Sequence, residues 1–375
     1  MAADTSELYV GLISGTSADA IDVALVKFDP CPRLVAASAA AYPAALRSRV
    51  LALARVTAEI DLDELGMLDV ELGGAFADAA IGLLKREGIA PASVRALGSH
   101  GQTIRHKPSL AAPYTLQLGD PNVIAERTGI MTVADFRRRD IAAGGQAAPL
   151  VPGLHAALLS DPAHHRVVLN LGGIANITVL PRDPSEPVTG FDTGPANCLM
   201  DAWSQLNRGI GCDVGGTWAA QGRVDEALLA QMLDEPYFAQ TGPKSSGREV
   251  FNMDWLKRQL QGHARPMAPA DVQATLLALS AKSIAAAIRR DAPLASEILV
   301  CGGGVHNAEL MRVLGGELAP LPVVSTATHG IDPDYVEAMA FAWLARQRLL
   351  GLPGNRAEVT GARGPRVLGA IYSGA

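Results

Sequence analysis

The sequence predicts an α/β chain built from two domains of similar architecture, and three stretches carry that prediction. Residues 10–26 read as an apolar strand, a short turn of glycine and hydroxyl residues, and a second apolar strand. The same design returns at 165–180. Between 297 and 307 an apolar strand runs into three glycines and then a helix, the context in which α/β proteins present bare backbone to a ligand. The two hairpins share little literal identity, so duplication is inferred from the pattern alone.

Size and composition agree. A chain of 375 residues has room for two domains with substantial cores. Apolar residues make up 49% and charged residues 19%, as in ordinary soluble proteins. The net charge of −6 gives neither a nucleic-acid footprint nor a polybasic membrane patch, so neither partner is expected. Cys31, Cys198, Cys212 and Cys301 are scattered without a C-x-x-C pair, which fits reduced thiols in a cytoplasm. The first residues lack a basic region followed by an apolar run, so no secretory signal is expected. The apolar stretch 276–288 is interrupted by Ser280, Lys282 and Ser283, short of a membrane span.

The first turn contains Ser14, Gly15, Thr16 and Ser17, with Asp19 and Asp22 close behind. Backbone N–H groups and hydroxyls suit phosphate, and Gly15 permits close approach. The carboxylates suit the water shell of a Mg²⁺ ion. A strand–turn–strand without a ligand is the alternative. No Gly-Lys-Ser/Thr follows, so the turn is not a Walker A loop. Residues 27–42 supply another strand and its connection, and 44–85 have helical periodicity. A short buried strand at 94–97 leads to a polar, glycine-flanked loop at 98–106. There His100, Gln102, Thr103 and Arg105 either face a polyhydroxylated or anionic ligand or form a polar surface. Residues 131–134 read as a strand before Arg137, Arg138 and Arg139. The three arginines form a solvated face, or one of them grips a carboxylate in bidentate fashion. Pro149, Pro152 and Pro162 bracket a short helix that bridges the domains. The expected domains are 1–145 and 146–349, with a tail from about 350 to 375 returning to the first.

In the second hairpin, Asn170, Gly172, Gly173 and Asn176 occupy the turn. Asp192 follows at the end of a short apolar strand, with Asn197 placed to start a helix. A carboxylate there is well placed to remove a proton; hydrogen bonding to nearby N–H groups is the plainer reading. Residues 242–249 read as a capped turn before a helix, or as a nucleotide contact through Lys244. After a helix at 270–290 and a strand at 297–301, Gly302, Gly303 and Gly304 let a flat ring or a phosphate lie on bare backbone. Pro333 is expected to begin a helix with Glu337 near its start. Glu337 is then either a dipole-favoured first-turn carboxylate or a second acid of the site.

With these pieces placed, the chain resembles the anhydro-N-acetylmuramic acid kinases, bacterial cell-wall recycling enzymes. The resemblance rests on Gly15-Thr-Ser-Ala-Asp-Ala-Ile-Asp22, Ser99-His-Gly-Gln-Thr-Ile-Arg-His106, Ala134-Asp-Phe-Arg-Arg-Arg-Asp140 and Leu169-Asn-Leu-Gly-Gly173. Phe191-Asp-Thr-Gly-Pro-Ala-Asn197, Val300-Cys-Gly-Gly-Gly304 and Val359-Thr-Gly-Ala362 extend it over the whole chain. It implies the two-domain, actin-like fold of sugar kinases and Hsp70, with a nucleotide cleft between the domains. It also implies ATP as co-substrate, Mg²⁺, and a homodimer. The implied reaction opens the 1,6-anhydro bridge with water at C1 and phosphorylates O6, giving N-acetylmuramic acid 6-phosphate.

By the same resemblance Asp192 is the general base and Glu337 positions the sugar or the water. Nucleotide contacts fall on Gly15, Thr16, Ser17, Ala18, Asp19, Ala20, Ile21, Asp22, Asn170, Gly172, Gly173, Gly302, Gly303 and Gly304, with Asp19 reaching the metal through water. Sugar contacts fall on Ser14, His100, Gln102, Thr103, Arg139, Asp192 and Glu337. One departure is Ala20, where the family has glycine; if the position needs positive φ, alanine costs about 1 kcal/mol. The bridging ether oxygen has no proton to give, so a base must act on water instead. Asp192-Thr-Gly is also an aspartic-protease signature, but no second copy exists to share a proton. A non-catalytic binding protein of this fold is expected to lack the two acids, and an ordinary hexose kinase is the nearest enzymatic rival.

Overall fold

The computed structural model describes residues 7–15, 18–29, 31–54, 61–242, 244–246, 250–263 and 266–374. They form two compact units, Met1–Leu158 with Tyr335–Ala375, and Leu159–Asp334. The first unit carries β1 (Leu8–Ser14), β2 (Ala20–Lys27), β3 (Arg33–Ala41), β4 (Ala96–Lys107), β5 (Tyr114–Leu118) and β6 (Thr132–Ala134). The second carries β7 (Arg166–Leu171), β8 (Ile174–Leu180), β9 (Thr189–Pro195), β10 (Glu297–Cys301) and β11 (Val323–Ser325). A final strand, β12 (Ala370–Tyr372), pairs antiparallel with β6 in the first unit.

The first sheet runs β12-β6-β4-β1-β2-β3 and the second β11-β10-β7-β8-β9. In each, an antiparallel three-stranded meander begins on a strand whose other edge pairs in parallel with the next. A further parallel strand follows, β6 on β4 and β11 on β10. Apart from β5 and β12, order and direction coincide. The two units therefore share one sheet topology although their hairpins share little literal identity, as the two-domain fold implied by the resemblance requires.

Strands covered on both faces read as near-continuous apolar runs, and β1 shows why. Val10 and Leu12 pack with Leu68, Leu72 and Phe76 of the helix Leu62–Arg86. That helix is capped by Asp61, whose side chain accepts from the Asp63 N–H, and it ends on Lys85 and Arg86. Gly11, on the other face, lies against the helix Val336–Leu349. In the second unit the apolar helix Pro269–Asp291 is the central core element. It is the one described helix long and apolar enough to cross a membrane, and most of it is buried here.

Three expectations change. The helix Val336–Leu349 belongs with the first unit, not the second, because its backbone packs on β1 and β4. It starts at Val336, so Pro333 stands outside it and accepts a hydrogen bond from the Gly302 N–H. Residues 98–106 are strand rather than loop: β4 continues to Lys107, turning at Gly101 (φ 74°) to form a hairpin with β5. The short helix, Pro152–Leu159, ends where the chain passes from the first unit to the second.

Candidate active site

In the first turn, Thr16 and Ser17 lie outside the described residues. The turn closes with Ala18 N donating to the Gly15 carbonyl. Gln102 Nε2 also donates to Gly15 O, at 3.1 Å, while its Oε1 accepts from the Tyr42 hydroxyl. Arg47 latches the far side, with Nε on Ala18 O at 2.8 Å and Nη2 on the Asp19 carboxylate at 2.6 Å. The left-handed residue is Ala18 (φ 49°), not Ala20. Ala20 opens β2 opposite Ala41, so its replacement of glycine carries no backbone penalty. Ile21 is buried in the core and Asp22 lies within β2. Ala18 is buried in the core, so Gly15 and the exposed Asp19 are the described turn residues placed to meet a ligand.

Of the polar residues expected to contact the sugar, several hold the scaffold instead. Ser14 and Gln102 are buried, the Thr103 hydroxyl accepts from Gln117, and Arg105 donates to the Leu53 and Ile104 carbonyls. Pairing of β4 with β5 turns Thr103 to Gln117, Gln102 is held by Gly15 and Tyr42, and Ser14 is buried at the end of β1. His100 is different. Its Nε2 accepts from Arg137 Nε at 2.8 Å, which leaves the proton on Nδ1 to donate to Gly101 O at 2.9 Å. Burial and the Arg137 guanidinium hold its pKa well below the usual imidazole value, so the ring is neutral. The ring packs on Phe341, centroids 4.7 Å apart.

Phe341 lies on the helix that carries Glu337 in its first turn. Desolvation raises the Glu337 pKa, and the nearby Arg137 charge partly offsets that. The side chain nonetheless keeps solvent access, so the carboxyl is not sealed in the core. The arginine beside Glu337 is thus Arg137, which the sequence did not single out from its two neighbours. Arg138 pairs with Asp135 at 2.7 Å. Arg139 is exposed and lines a separate cavity of about 410 Å³ with Asp135 and Arg348. The structure therefore does not bring Arg139 to His100 and Glu337.

In the second unit the β7–β8 turn is bound to the start of the helix Cys198–Arg208. Gly173 O accepts from Ala196 N and Cys198 N, Gly172 O accepts from Asn197 N, and Asn197 Nδ2 donates to the Leu171 and Gly172 carbonyls. Asn197 stands at the N-cap as expected, but its side chain ties down this turn and makes no cap hydrogen bond. Asn176 is in β8, outside the turn. Gly302 and Gly304 sit tightly on β7: a Cβ on Gly302 would stand 2.3 Å from Asn170 Oδ1, and one on Gly304 2.5 Å from Leu171 Cβ. Gly303 faces open space. The triplet thus presents bare backbone around Gly303, which suits a phosphate or a flat ring.

Asp192 lies within β9, opposite Asn176, rather than at a strand end. Its peptide N–H donates to Lys244 O, its carbonyl accepts from the Tyr237 hydroxyl at 2.7 Å, and Oδ2 accepts from Ser246 N at 2.9 Å. Lys244 is buried; Nζ donates to Tyr237 O and lies 4.4 Å from the Tyr237 ring centroid. Burial is the main reason its pKa falls to about 8, with the Asp192 charge opposing. Lys244 is thus engaged with Tyr237, whereas the sequence left it between a capped turn and a nucleotide contact. Ser245 and Ser246 are described, whereas 243 and 247–249 lie outside the described residues. Among the described residues no group of three metal-ligating side chains occurs.

A family model for anhydro-N-acetylmuramic acid kinase matches residues 7–374. A protein so named from Xanthomonas campestris pv. campestris (strain 8004) is 52% identical over 371 residues, covering 98% of this chain and 97% of that one. One from Xylella fastidiosa (strain Temecula1) is 52% identical over 369 residues, covering 97% and 96%. One from Coxiella burnetii (strain Dugway 5J108-111) is 50% identical over 368 residues, covering 98% of each.

Proposed function

The chain belongs to the anhydro-N-acetylmuramic acid kinase family, and from that premise we propose that it converts 1,6-anhydro-N-acetylmuramic acid, water and ATP to N-acetylmuramic acid 6-phosphate and ADP. The structural observation that carries the reading is the fixing of Asp192. Three contacts with residues 237–246 hold its backbone and one carboxylate oxygen, while the side chain stays partly open to solvent. A base held in one orientation is what proton abstraction from a single water requires.

Asp192 takes a proton from water as the water oxygen bonds to C1. The C1–O6 bond breaks and its electron pair passes to O6. O6 then bonds to the γ-phosphorus, and ADP leaves with the electrons of the cleaved P–O bond. Phosphoryl transfer needs positioning and charge neutralisation more than covalent help. Glu337, beside Arg137, positions the sugar or the attacking water. In the first unit the turn at Gly15 and Asp19 suits phosphate, and in the second the bare backbone at Gly303 does so independently.

Mg²⁺ fits an outer-shell role at Asp19, whose exposed carboxylate offers the hard oxygen donor this ion prefers. When bound, the ion supplies charge neutralisation at the phosphate oxygens. The family resemblance also supports a homodimer and a place in peptidoglycan recycling. The four cysteines are free thiols, in keeping with a cytoplasmic setting. Turnover in ¹⁸O-labelled water tests the proposal: label is expected at the anomeric hydroxyl and not in the phosphate. Label-free sugar product, or equal phosphorylation of an ordinary hexose, would overturn it.

A further inference from the structure

We propose that Asp140 is a positioning residue through which the C-terminal tail, by way of Asn355 and Thr360, sets the Arg137 guanidinium against His100 and Glu337. The inference rests on the reading of Glu337 and Arg137 as part of the site. It begins with a carboxylate that no solvent reaches. Asp140 is completely buried. Its Oδ1 accepts from Asn355 Nδ2 at 2.6 Å and from the Thr360 hydroxyl at 2.8 Å, and its Oδ2 accepts from Ala147 N at 2.7 Å. Three donors to one buried carboxylate make a fixed junction, because freeing any of them leaves a polar group unpaired out of water.

The junction reaches the site in two further steps. Ala147 is left-handed (φ 55°), a conformation a non-glycine residue holds only where its surroundings impose it. Its carbonyl accepts from Arg137 Nη1. Arg137 Nε in turn donates to His100 Nε2. The tail is bound to the same loop by backbone as well, with Gln146 N on Thr360 O and Arg363 N on Ala143 O. No space is left for adjustment at the carboxylate, since a Cβ on Gly145 would stand 2.2 Å from Asp140 Oδ2. Residues more than two hundred positions apart in sequence therefore fix one guanidinium.

The charged and titratable groups acting on His100 are Arg137 and His106, and both lower its pKa. Moving Arg137 away must therefore let His100 protonate at higher pH. The same movement removes the one positive charge that favours ionised Glu337. A role confined to holding the fold together would change neither.

Asp140→Asn risks unfolding, so Thr360→Val is the working variant and Thr360→Ser its conservative partner. Imidazole ¹⁵N NMR of full-length protein reads the His100 titration directly. In Thr360→Val we expect His100 to titrate at higher pH than in the parent, with Thr360→Ser restoring the parent value. We also expect kcat for the anhydro sugar to fall by about tenfold or more, with nucleotide KM unchanged. A folded Thr360→Val protein with an unmoved His100 titration overturns the inference. A moved His100 titration with unchanged kcat upholds the positioning and counts instead against the catalytic reading of Arg137 and Glu337.

Discussion

Gly11 and Gly98 stand opposite one another on β1 and β4, and the backbone of the helix Val336–Leu349 lies directly on both. A Cβ on Gly11 would fall 1.8 Å from Ala338 O, and one on Gly98 2.0 Å from Phe341 O. The pair sets the height of the helix above the sheet, and so the height of Glu337 and of the Phe341 ring under His100. Because the opposing atoms are backbone, nothing flexible can yield. Gly98→Ala is expected to cost about 3 kcal/mol, at the upper end for overpacking. It should also lower kcat in the protein that folds. Urea denaturation and steady-state rates on the same preparation check this; unchanged stability would mean the helix can lift without penalty.

Buried histidines make stability depend on pH in a stated direction. His155 is 1% exposed, and desolvation lowers its pKa to about 3. His100 is lowered too, by burial and then by Arg137. Unfolded imidazoles titrate near 6.5, so below that value the unfolded chain binds protons that the folded chain refuses. Folding stability is therefore complete above about pH 6.5 and falls as pH drops toward the folded values, by about 1.4 kcal/mol per pH unit for each such group. His155→Leu should remove one group's share of that slope between about pH 6 and 4. Urea midpoints measured across that range decide it, and an unchanged slope would place the acid sensitivity elsewhere.

The sheet skeleton could be read because hairpins and buried strands leave short-range patterns. Val10 to Val26 and Arg166 to Leu180 both announced themselves, as did the strand before Gly302. Side-chain destinations could not. Gln102 looks like a ligand contact from its glycine-flanked neighbourhood, yet β5 pairing buries it and turns it to Gly15. Arg137 and Arg139 are chemically identical in sequence. Only the placement of His100 and Ala147 distinguishes them, and both are long-range facts. Asp140 and Thr360 both stand in segments that carry the resemblance, but nothing in the sequence ties them to each other or to Asn355, because that junction is a long-range contact.

The glycine triplet separates structural from ligand-facing glycine. Gly304→Ala drives a methyl into Leu171, whereas Gly303→Ala adds one in open space. Gly304→Ala is thus expected to destabilise by about 1–3 kcal/mol. Gly303→Ala should leave the melting temperature alone and weaken binding of a non-hydrolysable ATP analogue by about tenfold, roughly 1.4 kcal/mol. Calorimetric titration beside thermal melts reads both. Wild-type affinity in Gly303→Ala would remove the bare backbone from the nucleotide site.

Asp192→Asn tests the base while sparing its mounting. The amide oxygen of asparagine can still accept from Ser246 N, and the backbone contacts with Lys244 and Tyr237 do not involve the side chain. What is lost is the capacity to take a proton, so kcat should fall by about 10²–10⁴-fold with nucleotide affinity unchanged. Lys244→Met supplies the complementary test. The Asp192 charge raises the pKa of Lys244, so the ammonium and the carboxylate attract one another. Replacing Lys244 with an apolar side chain removes that positive charge and should move the acid limb of kcat to higher pH. Rapid turnover by Asp192→Asn, or an acid limb indifferent to Lys244, would require that the proton leaves water by way of another group.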